Sequence, residues 1–509
     1  MNKLSTLQIW LHGFSALSMA AFVYFFVSHN APGFTNVPVI ALLGGTYVAV
    51  FLLANPGLLG GRHHIVPPNV SRVLYAATAL GLPVLFLNAT VWDYYQPISL
   101  YDDAIFTLAA SWLLLIISSI IALVKGQDQF APAAIVALLG TIFVLFVHMT
   151  TNPVPSEGLQ HHVDLFVGEE DGYENYRIPA LLVLPAGSLM ADGTSLKTDR
   201  LVAMAEARLN GALDTGAIDL VQKISDDGGQ TWSAQQVICT YRKDGERGKC
   251  GNATPVFDTR AGVLWLAYNL SGIPDDLPKG PRPHSAHIMR SADGGMTWSE
   301  GVRLPFDNVV FGPGHGIQKQ LAPALGRLVL PGNSAGSAMV IYSDDRGKTW
   351  QSGAALGAGN ENEIAELSDG RLYMAARHVA PVGRPPKPNG RLYAHSLDAG
   401  ETWESPQLDS TLQTPVCQAS VLRRNDSGGL LFSNPADPKA RVQMTVRASA
   451  DDGKNWSRSF LVYPGPAGYS QLGMLSGGDA VLLYERGDMA YSEMISFARI
   501  GVQSALLAP

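Results

Sequence analysis

The chain has 509 residues, 47% hydrophobic and 16% charged, with 36 Lys and Arg against 43 Asp and Glu and a net charge of −7. The hydrophobic fraction excludes a disordered chain, the length suits two to four domains, and no basic run offers a nucleic-acid footprint. Three cysteines are too few for a disulfide scaffold and lack metal-ligand spacing.

Charge is unevenly spread. Residues 1–150 hold only Lys3, Arg62, Arg72 and Lys125 against Asp93, Asp102, Asp103 and Asp128, so the whole net charge falls on the remainder. A hydrocarbon layer about 30 Å thick takes roughly 20 apolar residues per helix. Five stretches approach that length: about Leu7–Val27, Pro38–Leu59, Val73–Trp92, Ala104–Val124 and Ala131–Met149. The basic residues fall on one side of the bilayer if the N-terminus is cytoplasmic. The opposite loops are the uncharged Asn30–Val37 and the acidic Asp93–Asp103, with Trp92, Tyr94 and Tyr95 at the interface. Residues 1–152 therefore predict an α-helical membrane domain of about five transmembrane helices, its first span a retained signal anchor. His12, Asn88 and His148 lie near span ends and read as interfacial, so anchoring or assembly is expected rather than transport.

Residues 153–509 repeat. The pattern Ser-x-Asp-x-Gly-x-Thr-Trp occurs at Ser225–Trp232, Ser291–Trp298, Ser343–Trp350 and Ser396–Trp403, with a fifth copy, Ser449–Trp456, that has Asn455 in place of Thr. Successive starts are 66, 52, 53 and 53 residues apart, and most copies follow a short strand-like run. Asp-x-Gly is turn chemistry, since Asp bonds its own following backbone and Gly accepts positive φ. It lacks the dense oxygen ligands of a calcium loop. The tryptophan beyond each turn is expected to plug a gap between repeats. A period near 50 with no helical pattern predicts an all-β propeller of about six blades.

The repeated turns resemble the Asp box, and together with the residues that follow, Val163 to Ile500 resemble the sialidases (neuraminidases). That resemblance implies a six-bladed propeller and an exo-α-sialidase activity on sialylated glycans or glycolipids. It also implies retention of configuration through a tyrosyl-linked intermediate, with no cofactor and no metal. Asp boxes also occur in propellers without activity, so function rests on the site.

A sialic acid carries a carboxylate on its anomeric carbon, and arginine holds such a group best because its planar fork bonds both oxygens and stays charged. Arg177, in Tyr176-Arg177-Ile178-Pro179, resembles the first arginine of the family's triad; Arg377 and Arg441 stand where the second and third fall. The resemblance makes Glu361 the glutamate that activates the nucleophile, with Glu363 and Glu366 as competitors; Glu361 and Glu363 share a strand face, so periodicity does not separate those two. Asp214 matches the loop aspartate acting as general acid/base, Asp219 being the alternative. Arg208 and Glu206 are expected to line the same pocket. Tyr484, in Leu482-Leu-Tyr-Glu-Arg486, is matched to the nucleophilic tyrosine, used in this family where other glycosidases use a second carboxylate. A buried strand tyrosine is the competing reading. Glu493 is a candidate to orient Arg177, and His315 reads as a satisfied loop histidine.

Cys239 and Cys250 can pair in an oxidising space, leaving Cys417 free; the sequence leaves both states open. A sialoglycan-binding or assembly propeller without catalysis is the alternative function, and a membrane sugar transporter or sensor with an attached propeller is another. The expected location is a bacterial inner membrane, multi-pass, with the C-terminal domain in the periplasm or at the cell surface. The sequence leaves linkage preference and oligomeric state open.

Overall fold

The computed structural model describes residues 155–507 apart from 157, 215, 244–245, 272–283, 380–389, 425–428, 502 and 505. The five expected membrane spans lie outside these residues. No helix among the described residues is long and apolar enough to cross a membrane.

The regular structure described is β throughout, and its strands group into six antiparallel units of four. Blade 1 is Asn175–Leu184, Arg200–Arg208, Ile218–Ser225 and Gln236–Cys239; blade 2 is Lys249–Asp258, Val263–Ser271, Ser285–Ser291 and Val302–Asp307. In blade 3 the innermost strand is split into Val309–Phe311 and Ile317–Gln318, followed by Leu328–Ser334, Ser337–Ser343 and Gln351–Ser352. Blade 4 is Asn362–Glu366, Leu372–Ala376, Arg391–Ser396 and Gln407–Asp409. Blade 5 comprises Ser420–Arg423, Leu430–Pro435, Val442–Ser449 and the first part of the long strand Arg458–Met474. The second part of that strand begins blade 6, continued by Ala480–Arg486 and Met494–Ile500. The ring closes with His161–Val167 as the outer strand of blade 6, paired with Met494–Ile500 from the other end of the chain. The propeller expected from the repeat is thus present.

Each repeated serine ends the third strand of its blade, and the turn leads toward the fourth. In blade 1, Asp227 accepts from the Ser225 hydroxyl at 2.8 Å and from the Thr231 amide at 2.9 Å. In the fifth copy Asn455 makes the same contacts, donating to Asp451 through its amide at 2.8 Å and its side chain at 2.6 Å, so the missing threonine leaves the turn intact. Glycine is required at the fifth position for two reasons. At Gly229 φ is +91°, and an added Cβ would lie 2.2 Å from the Phe497 ring of blade 6.

The tryptophans fill gaps between blades, as expected. Trp232 meets Phe497 of blade 6 edge-on at 5.2 Å, and Trp350 meets Trp265 of blade 2 at 6.3 Å. Hydrophobic clusters run between successive blades, as where Leu181, Leu201 and Val221 of blade 1 pack on Leu483, Ile495 and Phe497 of blade 6. Adjacent blades therefore share their core, as repeats that cannot bury a hydrophobic face alone must.

Candidate active site

One rim of the propeller carries the starts of the innermost strands, the ends of the second strands and the starts of the third; the Asp-x-Gly turns occupy the opposite rim. Strand direction alone therefore places Arg177 (start of the blade 1 inner strand), Arg208 (end of the second), Arg377 (just past Ala376), Glu361 (just before Asn362) and Arg441 (just before Val442) at the same end.

Arg177 is aimed by a carboxylate from blade 6. Its Nε donates to Glu485 Oε1 at 3.0 Å and its Nη2 to Oε2 at 3.2 Å, a two-pronged pair with both side chains buried. The same carboxylate accepts the Ile178 amide at 2.9 Å and the Tyr469 amide at 2.9 Å. The bulge between Arg177 and Ala180 turns Ile178 to φ 57°, an unfavourable region for a β-branched residue, and Glu485 holds it there. Glu493 does not orient Arg177. Its carboxylate is taken up by the backbone amides of Asp488, Met489 and Ala490 in the turn before its own strand.

Glu361 and Arg377 form an ion pair of 2.6 Å across blade 4. The other Glu361 oxygen accepts the hydroxyl of Tyr469, and Arg377 Nη1 lies 3.0 Å from that hydroxyl. The guanidinium groups of Arg177 and Arg441 lie over the Tyr469 ring at 5.3 and 5.4 Å, and over the Tyr491 ring at 5.1 and 4.7 Å. Tyr469 thus sits among the three arginines, and Tyr491 lies against Arg177 and Arg441. Burial drives the Tyr469 hydroxyl well above its ordinary pKa and Glu361 adds to this, while Arg377 and Arg441 oppose both. Burial also works to raise Glu361, but Arg377 and the Tyr469 hydrogen bond outweigh it and hold the carboxyl below its usual range. The pair is a neutral phenol donating to a carboxylate.

Tyr484 is not part of this cluster, and the expectation that it is the nucleophile is corrected. It is fully buried in the second strand of blade 6, its hydroxyl 3.1 Å from His162 Nε2 and its ring packed near Tyr463. Alternation on that strand sends Glu485 toward the rim cluster and Tyr484 into the core shared with Leu431, Val446 and Leu482. The buried strand tyrosine is the correct reading. Tyr469 lies on the innermost strand instead, after Pro464-Gly465-Pro466-Ala467-Gly468. The sequence signal that marks it is the preceding glycine: a Cβ at Gly468 would lie 2.2 Å from Glu485 Oε2, so only glycine admits the carboxylate that aims Arg177.

Asp214 lies in the loop after Arg208, with 71% of its side chain exposed. Arg208 Nη2 donates to it at 2.8 Å, and Arg177 Nη1 lies 3.7 Å away. The partial loss of water beside the rim works to raise its pKa, but Arg208 and then Arg177 prevail and hold it well below the usual carboxylate range. Arg208 Nη2 also donates to the fully buried Glu206 at 2.8 Å. Glu206 accepts from Lys249 Nζ at 3.1 Å and from the Asn252 amide at 2.9 Å. Asp219 is buried and accepts the Tyr173 hydroxyl at 2.8 Å, a structural contact.

The competing glutamates are occupied elsewhere. Glu363 accepts His315 Nδ1 at 2.8 Å and the Val421 amide at 2.8 Å, and Glu366 pairs with buried Lys319 at 2.7 Å. Cys239 and Cys250 form a disulfide between blades 1 and 2, and Cys417 is free and buried. Of the expected residues, the fold brings together Arg177, Glu206, Arg208, Asp214, Glu361, Arg377 and Arg441. It adds Tyr469, Tyr491, Glu485 and Lys249.

A six-bladed propeller that gathers Arg177, Arg208, Arg377 and Arg441 at one rim has the sialidase-like fold. A solved Hadza microbial sialidase shares the fold with a TM-score of 0.56 at 25% identity, covering 67% of this chain and 68% of that one. A leech intramolecular trans-sialidase shares it with a TM-score of 0.54 at 18% identity, covering 67% and 70%. Residues 199–499 match the family model described as a BNR repeat-like domain, and the chain belongs to that family. Among curated relatives, a sialidase of Micromonospora viridifaciens is 34% identical over 367 residues, covering 66% of this chain and 54% of the relative. A sialidase of Bacteroides fragilis is 28% identical over 65% of this chain and 64% of the relative. The chain therefore spans less than two thirds of the length of these two proteins. Sialidase-3 of Rattus norvegicus is 27% identical, with 94% of its length covered.

Proposed function

We propose that the chain is an exo-α-sialidase that releases terminal sialic acids from glycoconjugates with retention of configuration. The observation that carries this reading is the contact of Tyr469 with Glu361 inside the ring of Arg177, Arg377 and Arg441. A sialidase name on relatives covering 54% and 64% of their lengths supports the same substrate class.

The three guanidinium groups hold the substrate carboxylate and set the anomeric carbon over Tyr469. Asp214 gives its proton to the departing glycosidic oxygen. Tyr469 attacks the anomeric carbon as its hydroxyl proton passes to Glu361, forming the tyrosyl-linked intermediate. Water, deprotonated by Asp214, then attacks the same carbon; the phenolate leaves and recovers its proton from Glu361. A phenol suits this task because a carboxylate nucleophile would repel the substrate's own anion, whereas the phenol approaches neutral.

Release of a fluorogenic aglycone from an α-sialoside by the full chain tests the reading, with Tyr469→Phe alongside. Cleavage that the variant loses supports it. A folded wild type that cleaves no sialoside refutes it.

For residues 1–152, we propose a multi-pass anchor that displays the propeller outside the cytoplasm, supported by the five apolar stretches and the placement of Lys3, Arg62, Arg72 and Lys125. Extraction of the protein from membranes by carbonate alone would count against it.

A further inference from the structure

Lys249 opens the inner strand of blade 2, is almost fully buried, and reaches back to Glu206 of blade 1. Its neighbour Cys250 is tied to Cys239 of blade 1, which fixes the strand start from which the lysine projects. Glycine follows at 251, where a Cβ would lie 2.2 Å from Lys249 Cε and 2.4 Å from Glu206 Oε1. The local sequence Lys-Cys-Gly thus leaves room for this ion pair and anchors it.

Four charged side chains then run in series: Lys249 to Glu206 at 3.1 Å, Glu206 to Arg208 at 2.8 Å, and Arg208 to Asp214 at 2.8 Å. One nitrogen, Arg208 Nη2, serves both carboxylates. Glu206 is fully buried and would claim that nitrogen strongly if Arg208 were its sole cation, because an uncompensated buried charge is costly. Given the role assigned above to Asp214, we propose that Lys249 is a positioning residue that, by neutralising Glu206, leaves Arg208 shared with Asp214.

The charged and titratable groups facing this series are Arg177 from the inner strand of blade 1, Glu206 and Arg208 from the second strand, Lys249 from blade 2, and His284 just before its third strand. Loss of Lys249 removes one positive charge and unmasks one negative charge, and both changes favour the protonated form of Asp214. The proton that Asp214 donates is then retained to higher pH.

The test is the pH profile of kcat, which reads the substrate-bound enzyme, on sialyllactose, whose poor leaving group requires the acid, for the full chain and for Lys249→Met, Lys249→Gln and Lys249→Arg. The alkaline limb is expected to move up by about half a unit or more in the Met and Gln variants and to stay in place in the Arg variant. Lys249→Gln preserves a hydrogen-bond donor and serves if the Met variant does not fold. Activity that falls equally at every pH, or a limb unmoved in both neutral variants, overturns the proposal. A wild type inactive at all pH values overturns the proposed function, and this role with it.

Discussion

Tyr469 and Glu361 are 108 positions apart in the chain, on blades 6 and 4, yet the tyrosine hydroxyl donates to the glutamate carboxylate. Arg377 touches both partners. The carboxylate is thereby held ionised beside a phenol that burial keeps neutral, which is the starting arrangement for passing a proton from one to the other.

The first consequence is a contrast between two tyrosines. Tyr469→Phe should lower kcat on an aryl sialoside by at least about a hundredfold. Tyr484→Phe should leave kcat near wild type and cost about 1 kcal/mol of stability, the net worth of its bond to His162. Steady-state kinetics with urea unfolding on both variants checks this, and equal loss of activity would sink the assignment.

Glu485 should prove indispensable without touching substrate. It holds Arg177 by two nitrogens and accepts two backbone amides, so Glu485→Ala leaves a buried guanidinium without its counter-ion. Breaking such a pair costs about 3–5 kcal/mol. Glu485→Gln preserves the shape and should raise KM by roughly tenfold or more while the fold survives. Thermal unfolding and KM together separate the two effects.

Substrate should bring Asp214 its proton. In the free site the partial loss of water favours the neutral acid, but Arg208 and Arg177 prevail and keep it ionised. An anion bound to Arg177 weakens that field and adds a like charge, so the carboxyl pKa rises on binding. A carboxylate-bearing unsaturated sialic acid analogue should therefore bind more tightly as pH falls from 6 to about 4, taking up a fraction of a proton. Calorimetry in two buffers of different ionisation enthalpy measures the uptake, which Asp214→Asn should abolish.

The repeated turns should give the propeller an acid-sensitive component. Burial slightly opposes ionisation of Asp227, but hydrogen bonds from Thr231 and Ser225 lower its pKa from 3.8 to about 2. A carboxyl lowered on folding contributes stability that is fully present above its unfolded pKa and is lost as pH falls through the folded one. That window is pH 4 to 2. Asp227→Ala should cost about 1 kcal/mol at pH 7 and nothing further below pH 2. Gly229→Ala should cost more, about 3 kcal/mol, since it collides with Phe497 at positive φ. Urea midpoints across this pH range provide the measurement.

Local patterns were legible because they need only neighbours. A serine, an aspartate, a glycine and a tryptophan at fixed spacing specify a turn and a plug, and five copies 52 to 66 residues apart specify a ring of blades. The arginines were legible through the family resemblance, which matched Arg177, Arg377 and Arg441 by their order relative to those turns. Glu485 and Lys249 were not, since each acts on a partner in an adjacent blade. Residues 1–152 carry an apolar pattern readable as membrane spans, which lies outside the described residues.

The two tyrosines mark the boundary between what the sequence determined and what only the tertiary structure decided. Both stand on strands of the same sheet, and alternation relates each to its own strand's two faces but not to the centre of the ring. Only the long strand Arg458–Met474, shared by blades 5 and 6, makes the segment carrying Tyr469 innermost and places Tyr484 one strand out, in the core. The blades and the charges follow from local chemistry; which hydroxyl meets Glu361 follows from closing the ring.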